Sequence, residues 1–269
     1  MKKILFPTDF SEAAKNGFRY AVALAEDMEA ELDVMNVFSV PFTAPEEMPP
    51  DYVNQLINNQ KKEAIKKLNN FVQDVAPDFK GRKITIYGAF VPEEIFEQVR
   101  LGIYDLVIMG TKGERNVLEK LVGSITTRTI MNAPCPVLAI PQEAEYDGIE
   151  HIAYASDFKP TDKIALEQLM TFTGKMGADL NFVHVDTSPN IGEIKDLISL
   201  KSYPFEFSEF FIINSPSVIE GVDDFITKKG INLLTLFIPK RRLWERLFHQ
   251  SFSKKYAFHT KVPLLVFHE

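Results

Sequence analysis

The chain has a single cysteine, Cys135, among 269 residues. No internal disulfide can form, and the composition fits a reducing compartment such as the cytoplasm. Nowhere does an apolar run approach the roughly 20 residues that a membrane span requires. The opening stretch from Met1 to Phe6 is too short for a secretory signal and is broken by Pro7 and Asp9. His151, His184, His249, His259 and His268 show no ligand spacing, and one thiol cannot complete a zinc set with them. An excess of positive charge is missing as well. The formal net charge is -7, which argues against a nucleic-acid backbone as partner. The short basic runs Lys240-Arg241-Arg242 and Lys254-Lys255 read as solvated faces. What these absences leave is a cytoplasmic globular chain, without membrane or nucleic-acid partners, long enough for two domains with separate cores.

What is present is a sequence written twice. Lys3-Ile4-Leu5-Phe6-Pro7-Thr8-Asp9-Phe10 opens the chain, and His151-Ile152-Ala153-Tyr154-Ala155-Ser156-Asp157-Phe158 reopens it 148 positions later. At that offset Met28 falls on Met176, Ala30 on Ala178, Leu32 on Leu180 and Val37 on Val185, without a gap. The ends of the copies match at an offset of 127, with Ala133-Pro134-Cys135-Pro136-Val137-Leu138-Ala139-Ile140 over Thr260-Lys261-Val262-Pro263-Leu264-Leu265-Val266-Phe267. The first copy therefore holds about 21 extra residues between Val40 and Lys80. There Pro41, Pro45, Pro49 and Pro50 mark a loop. A charged helix follows, with Leu56, Ala64, Leu68, Phe71 and Val72 as its apolar face. Gln142 to Gly148 is a polar linker, which places the domains at 1–142 and 149–269.

Within a copy, strands alternate with helices. Ile4 to Phe6, Leu32 to Phe38, Ile84 to Tyr87, Leu106 to Met109 and Val137 to Ile140 read as strands. Ser11 is a candidate N-cap before Phe18, Ala21, Val22 and Leu24 at helical spacing, and Glu93 to Leu101 reads as a second helix. The pattern predicts an α/β fold: two tandem, doubly wound parallel sheets of about five strands each. In such sheets a ligand sits at the carboxyl ends of the strands, where strand order reverses, and strands 1 and 4 are the natural flanks.

After strand 4 comes Gly110-Thr111-Lys112-Gly113, then nine residues, then Gly123-Ser124-Ile125-Thr126. This reads as an anion cradle. Gly110 and Gly113 permit close approach and unusual dihedrals. Gly123 and Ser124 start a helix whose free N–H groups face a phosphate. The Ser124 and Thr126 hydroxyls add hydrogen bonds, and Lys112 or Arg115 adds charge. A plain strand-to-helix turn with a serine cap would explain one glycine pair; three glycines and a cap after a buried strand favour binding. Cys135, between two prolines before a buried strand, reads as an inert packed thiol.

The glycine pattern, with Pro7-Thr8-Asp9-Phe10-Ser11 at the start and Ala133-Pro134-Cys135-Pro136-Val137 at the end, resembles the ATP-binding branch of the universal stress protein family, in a tandem two-domain form. The resemblance implies a flavodoxin-like (adenine nucleotide alpha hydrolase-like) topology with strand order 3-2-1-4-5. It also implies ATP at the carboxyl edge, with Mg²⁺ or Mn²⁺ on the phosphates, and fifth strands that pair across a dimer interface. Asp9 would then accept from the ribose hydroxyls, a reading the neighbouring motif favours over a simple helix-capping aspartate just after a strand, though both can hold. Pro7 and Thr8 would line the adenine side, and the Val37 backbone would bond the base. Met109 and Gly110 would flank the nucleotide, and Gly113, Gly123, Ser124 and Ile125 would hold the phosphates.

The second copy keeps Asp157 and Val185, but Gly110, Gly113 and Gly123 become Phe237, Lys240 and Gln250; Ser251 alone matches Ser124. Nucleotide binding there is not expected. Trp244, Leu247 and Phe248 read as sheet cover, with a partner surface as the alternative. Three functions are compatible with the whole chain: a nucleotide-responsive stress regulator, a slow ATPase, or an interaction scaffold with a vestigial loop. A homodimer, internal pairing of the copies and a protein partner for the second copy are all open.

Overall fold

A computed structural model describes residues 1–40, 49–102, 104–111, 124–156, 163–187, 209–238 and 262–268. The chain divides into two compact units, Met1–Tyr146 and Asp147–Glu269. In the first, the order is β1 (Lys3–Pro7), α1 (Glu12–Asp27), β2 (Glu31–Phe38), α2 (Pro50–Val75), β3 (Lys83–Tyr87), α3 (Val91–Gly102), β4 (Leu106–Thr111), α4 (Ser124–Asn132) and β5 (Val137–Pro141). The second follows with β6 (His151–Ala155), α5 (Lys163–Met176), β7 (Asp179–Asp186), β8 (Glu209–Asn214), α6 (Val218–Lys229), β9 (Leu233–Ile238) and β10 (Leu264–His268).

Within the first unit the strands run β3-β2-β1-β4-β5, and within the second β8-β7-β6-β9-β10, all pairs parallel. Each order is the 3-2-1-4-5 arrangement, whose reversal point lies between the first and fourth strands. Parallel strands need cover on both faces, and β5 is buried at every position while β1 is buried from Ile4 to Pro7. Phe18 on α1 fixes much of that cover. Its ring lies 5.2 Å from Phe6, 5.4 Å from Phe71 and 5.2 Å from Phe79.

α1 starts where the sequence predicts, with Ser11 Oγ accepting from the Ala14 N–H at 3.2 Å. It ends in a Schellman turn: the Glu29 N–H donates to Glu26 and the Ala30 N–H to Ala25. α3 begins at Val91, earlier than the predicted Glu93, because Pro92 belongs in a first helical turn where its missing N–H costs nothing. In α2 only Ala64, Leu68, Phe71 and Val72 are buried, and Leu56 is half-buried.

Candidate functional site

The turn after β1 is built by three successive side-chain caps. Thr8, 7% exposed, accepts the Phe10 N–H on Oγ1 at 3.0 Å, and Asp9 Oδ1 accepts the Ser11 N–H at 3.0 Å. Ser11 in turn caps α1. Phe10 adopts φ 65°, a left-handed conformation a bulky residue enters only when held there. The Thr8 bond and the packing of its ring 5.7 Å from Phe71 hold it. Asp9 is thereby fixed at the carboxyl edge of β1, with one oxygen committed to its own turn. Asn36 near the end of β2 donates Nδ2–H to the Thr8 carbonyl at 2.9 Å, tying the turn to the neighbouring strand.

From sequence, Gly110 on β4 is expected to serve unusual dihedrals and ligand approach. Its φ is not left-handed. A Cβ at Gly110 would stand 2.3 Å from the Ala13 carbonyl oxygen, and one at Gly17 would stand 2.9 Å from Gly110 Cα. These glycines let the first turns of α1 lie directly on β4, which brings Asp9, Ser11 and the start of α1 up against Met109.

Between these elements lies a cavity of about 220 Å³. Among the predicted site residues, Pro7, Thr8, Asp9, Val37, Met109, Gly110, Ile125 and Thr126 line it. Ser124 begins α4, whose first turn supplies Ile125 and Thr126 and whose free N–H groups carry the positive end of the helix dipole. Lys112, Gly113, Arg115 and Gly123 lie outside the described residues, as do Asp157, Lys240, Trp244, Leu247, Phe248, Gln250 and Ser251. Residues the sequence reading missed also line the cavity: Ser11, Ala13, Ala14, Met35, Asn36, Val91 and Ile95. Asn36 could have been found, because an asparagine inside an apolar strand run contradicts strand propensity. Val91 and Ile95 on α3 face Ile125 and Thr126 on α4 across the space. An ion pair between Glu93 and Arg128 joins the two helices beside it.

Among the described lining residues only Asp9 carries an ionisable side chain. Cys135 is buried, and burial pushes its thiol up to about 12, so it is inert as a nucleophile. A larger cleft of about 960 Å³ opens beside α1 at Arg19, Glu26 and Phe79, near the amino ends of the strands. Its ionic centre is already satisfied internally: Asp33 accepts from Arg82 and from the Tyr104 hydroxyl. The smaller cavity lies at the carboxyl edge and next to a helix N-terminus, where open parallel sheets bind their ligands.

A family model described as the universal stress protein family matches residues 1–141. Over 141 residues the chain is 30% identical to universal stress protein MJ0531 of Methanocaldococcus jannaschii, covering 52% of this chain and 81% of that one. It is 31% identical over 157 residues to universal stress protein MJ0577 of the same organism, covering 53% and 96%. A solved universal stress protein from Archaeoglobus fulgidus matches across 99% of this chain and 98% of its own. Its TM-score is 0.75 at 17% identity, a likeness of fold.

Proposed function

The chain belongs to the universal stress protein family, and we propose that its first unit is an adenine-nucleotide receptor whose ligand is ATP. The observation that carries this reading is the convergence of Asp9, Val37, Gly110 and Ile125, from four separate segments, on one cavity at the reversal point of the sheet. Base, ribose and phosphates would run from β2 past Asp9 to the N-terminus of α4. A divalent cation, Mg²⁺ or Mn²⁺, would be held mainly by the phosphates, because among the described residues no group of three His, Cys, Asp or Glu could hold one.

The lining supports binding rather than turnover. Hydrolysis needs a positioned water, a group that orients it and charge on the leaving phosphate. Asp9 is the lone ionisable residue described in the lining, and one of its oxygens is taken by Ser11. The site is accordingly a sensor of nucleotide in a cytoplasmic regulator, and hydrolysis is at most slow. Among the described residues no helix is long and apolar enough to cross a membrane.

Calorimetric titration of nucleotide-stripped protein with ATP and Mg²⁺, beside the Gly123→Val variant, tests the proposal. Saturation at one site per chain, abolished by the variant, is the expected result. Ligand at about a hundredfold excess over Kd then stabilises the fold by roughly 2.7 kcal/mol. Absence of both heat and stabilisation would remove ATP from the account and leave a scaffold role.

A further inference from the structure

Asn36 is buried, 7% exposed, and lines the cavity from β2. Its amide has only one chemically allowed orientation. The Thr8 carbonyl 2.9 Å away can only accept, so the amide group facing it is the NH₂. The other end, Oδ1, then points away from Thr8. It has no hydrogen-bond partner among the described residues, yet it is not a sealed, stranded acceptor. A buried polar atom left open only toward a cavity is a recognition group waiting for a donor.

Which part of the ligand meets it follows from the sheet order. β4 and α4, at the phosphate end, are separated from β2 by β1, so Asn36 sits about 10 Å from β4 at ordinary strand spacing. That is the far end of the cavity, beside Val37, where the base lies under the reading given above. We infer that Asn36 is a specificity-determining residue: its Oδ1 accepts a hydrogen bond from the exocyclic amine of the bound base and so selects 6-aminopurine nucleotides. The inference rests on the nucleotide reading of the cavity and adds the group that reads the base.

In the second unit the matched residue is His184, whose Nδ1–H donates to the Ser156 carbonyl at 2.9 Å. Histidine can therefore replace asparagine in the tie to the turn. In the first unit a neutral histidine would keep that donor and offer Nε2 as an acceptor, which supplies a control for structure.

The test compares ATP with purine riboside triphosphate, which lacks the amine, in calorimetric titrations of the wild type, Asn36→Leu and Asn36→His. The wild type is expected to prefer ATP by about tenfold. Asn36→Leu should bind the two nucleotides equally, and Asn36→His should retain the preference. A merely structural role for Asn36 would weaken both ligands alike and leave the ratio unchanged, which would overturn the inference while leaving the nucleotide site intact. Saturable binding of both nucleotides with equal affinity by the wild type would overturn it in the same way. Failure of the wild type to bind either would overturn the reading of the cavity itself, and the role of Asn36 with it.

Discussion

The two units share a frame of backbone hydrogen bonds and differ in the side chains set on it. Thr8 N–H to Met35 in the first unit is Ser156 N–H to Val183 in the second. Glu31 to Lys2 is Asp179 to Glu150, Gly88 to Phe38 is Ser215 to Asp186, and Val107 to Pro136 is Leu234 to Pro263. Even a steric exchange is reciprocal: Gly88 makes room for Glu94, whereas at the matched positions Gly221 makes room for Val185 and Ser215. At the carboxyl edge the side chains differ: Gly110 is matched by Phe237 and Asn36 by His184. Each unit therefore keeps the same strand order with a different residue at these positions.

The strongest way to break the comparison is to give the first unit the second unit's residue at the closest approach. In Gly110→Phe even the first side-chain atom would stand 2.3 Å from the Ala13 carbonyl oxygen, which is backbone and cannot swing aside. α1 must lift off β4, carrying Asp9 and Ser11 with it. A loss of about 3 kcal/mol is expected, together with loss of ATP binding. Hydrogen exchange read separately over Met1–Tyr146 and Asp147–Glu269 checks it. Unchanged protection of α1 would mean that Gly110 serves the ligand and not the helix.

That residue also shows where sequence reading stops. Periodicity and caps are local, so the strand runs, the Ser11 cap and the repeat itself were visible, and the 3-2-1-4-5 order followed from the family resemblance. The need for glycine at position 110 is set by Ala13, nearly a hundred residues earlier, and no local pattern carries it. The residues that were legible as a site, Asp9, Gly110 and Ile125, lie in turns or at the ends of elements, where composition departs from the ordinary. Val91 and Ile95 look like any apolar face of a helix, and only the packing of α3 beside α4 brings them to the cavity.

A smaller effect should come from charge. Asp33 is 4% exposed in its side chain and accepts from the Arg82 guanidinium and the Tyr104 hydroxyl. The matched residue in the second unit is the neutral Asn181, which donates to the Ile152 carbonyl at 3.4 Å. Burial pushes the Asp33 carboxyl up, but the bonds from Arg82 and Tyr104 outweigh it and hold the group below its ordinary value. The folded state thus binds this proton less readily than the unfolded state. Its stabilisation is complete above the unfolded value near 3.9 and is lost as pH falls through the lower folded one. Asp33→Asn should cost about 2 kcal/mol at pH 7, with the gap to wild type closing on acidification toward pH 2. Urea midpoints measured across that range test the sign, and a gap that widens in acid would refute it.

The smallest change sharpens the comparison by moving the first unit toward the second. Both first helices end with a residue in the left-handed region just past the C-cap, Glu29 at φ 46° and Gly177 at φ 64°. The following N–H in each reaches back to the last turn, Ala30 to Ala25 and Ala178 to Thr173. Glycine meets that backbone geometry without a Cβ clash, whereas glutamate carries one. The Glu29 side chain is exposed and has no hydrogen-bond or ion-pair partner among the described residues, so its removal loses no such bond. Glycine also gives the unfolded chain more freedom, which offsets part of the gain. Glu29→Gly should therefore stabilise the first unit by about 0.5 kcal/mol, and Gly177→Glu should destabilise the second by about 1 kcal/mol. Thermal unfolding of the two variants decides it. Equal and small effects of the same sign would show that the turn is set by its hydrogen bonds alone, whatever residue occupies it.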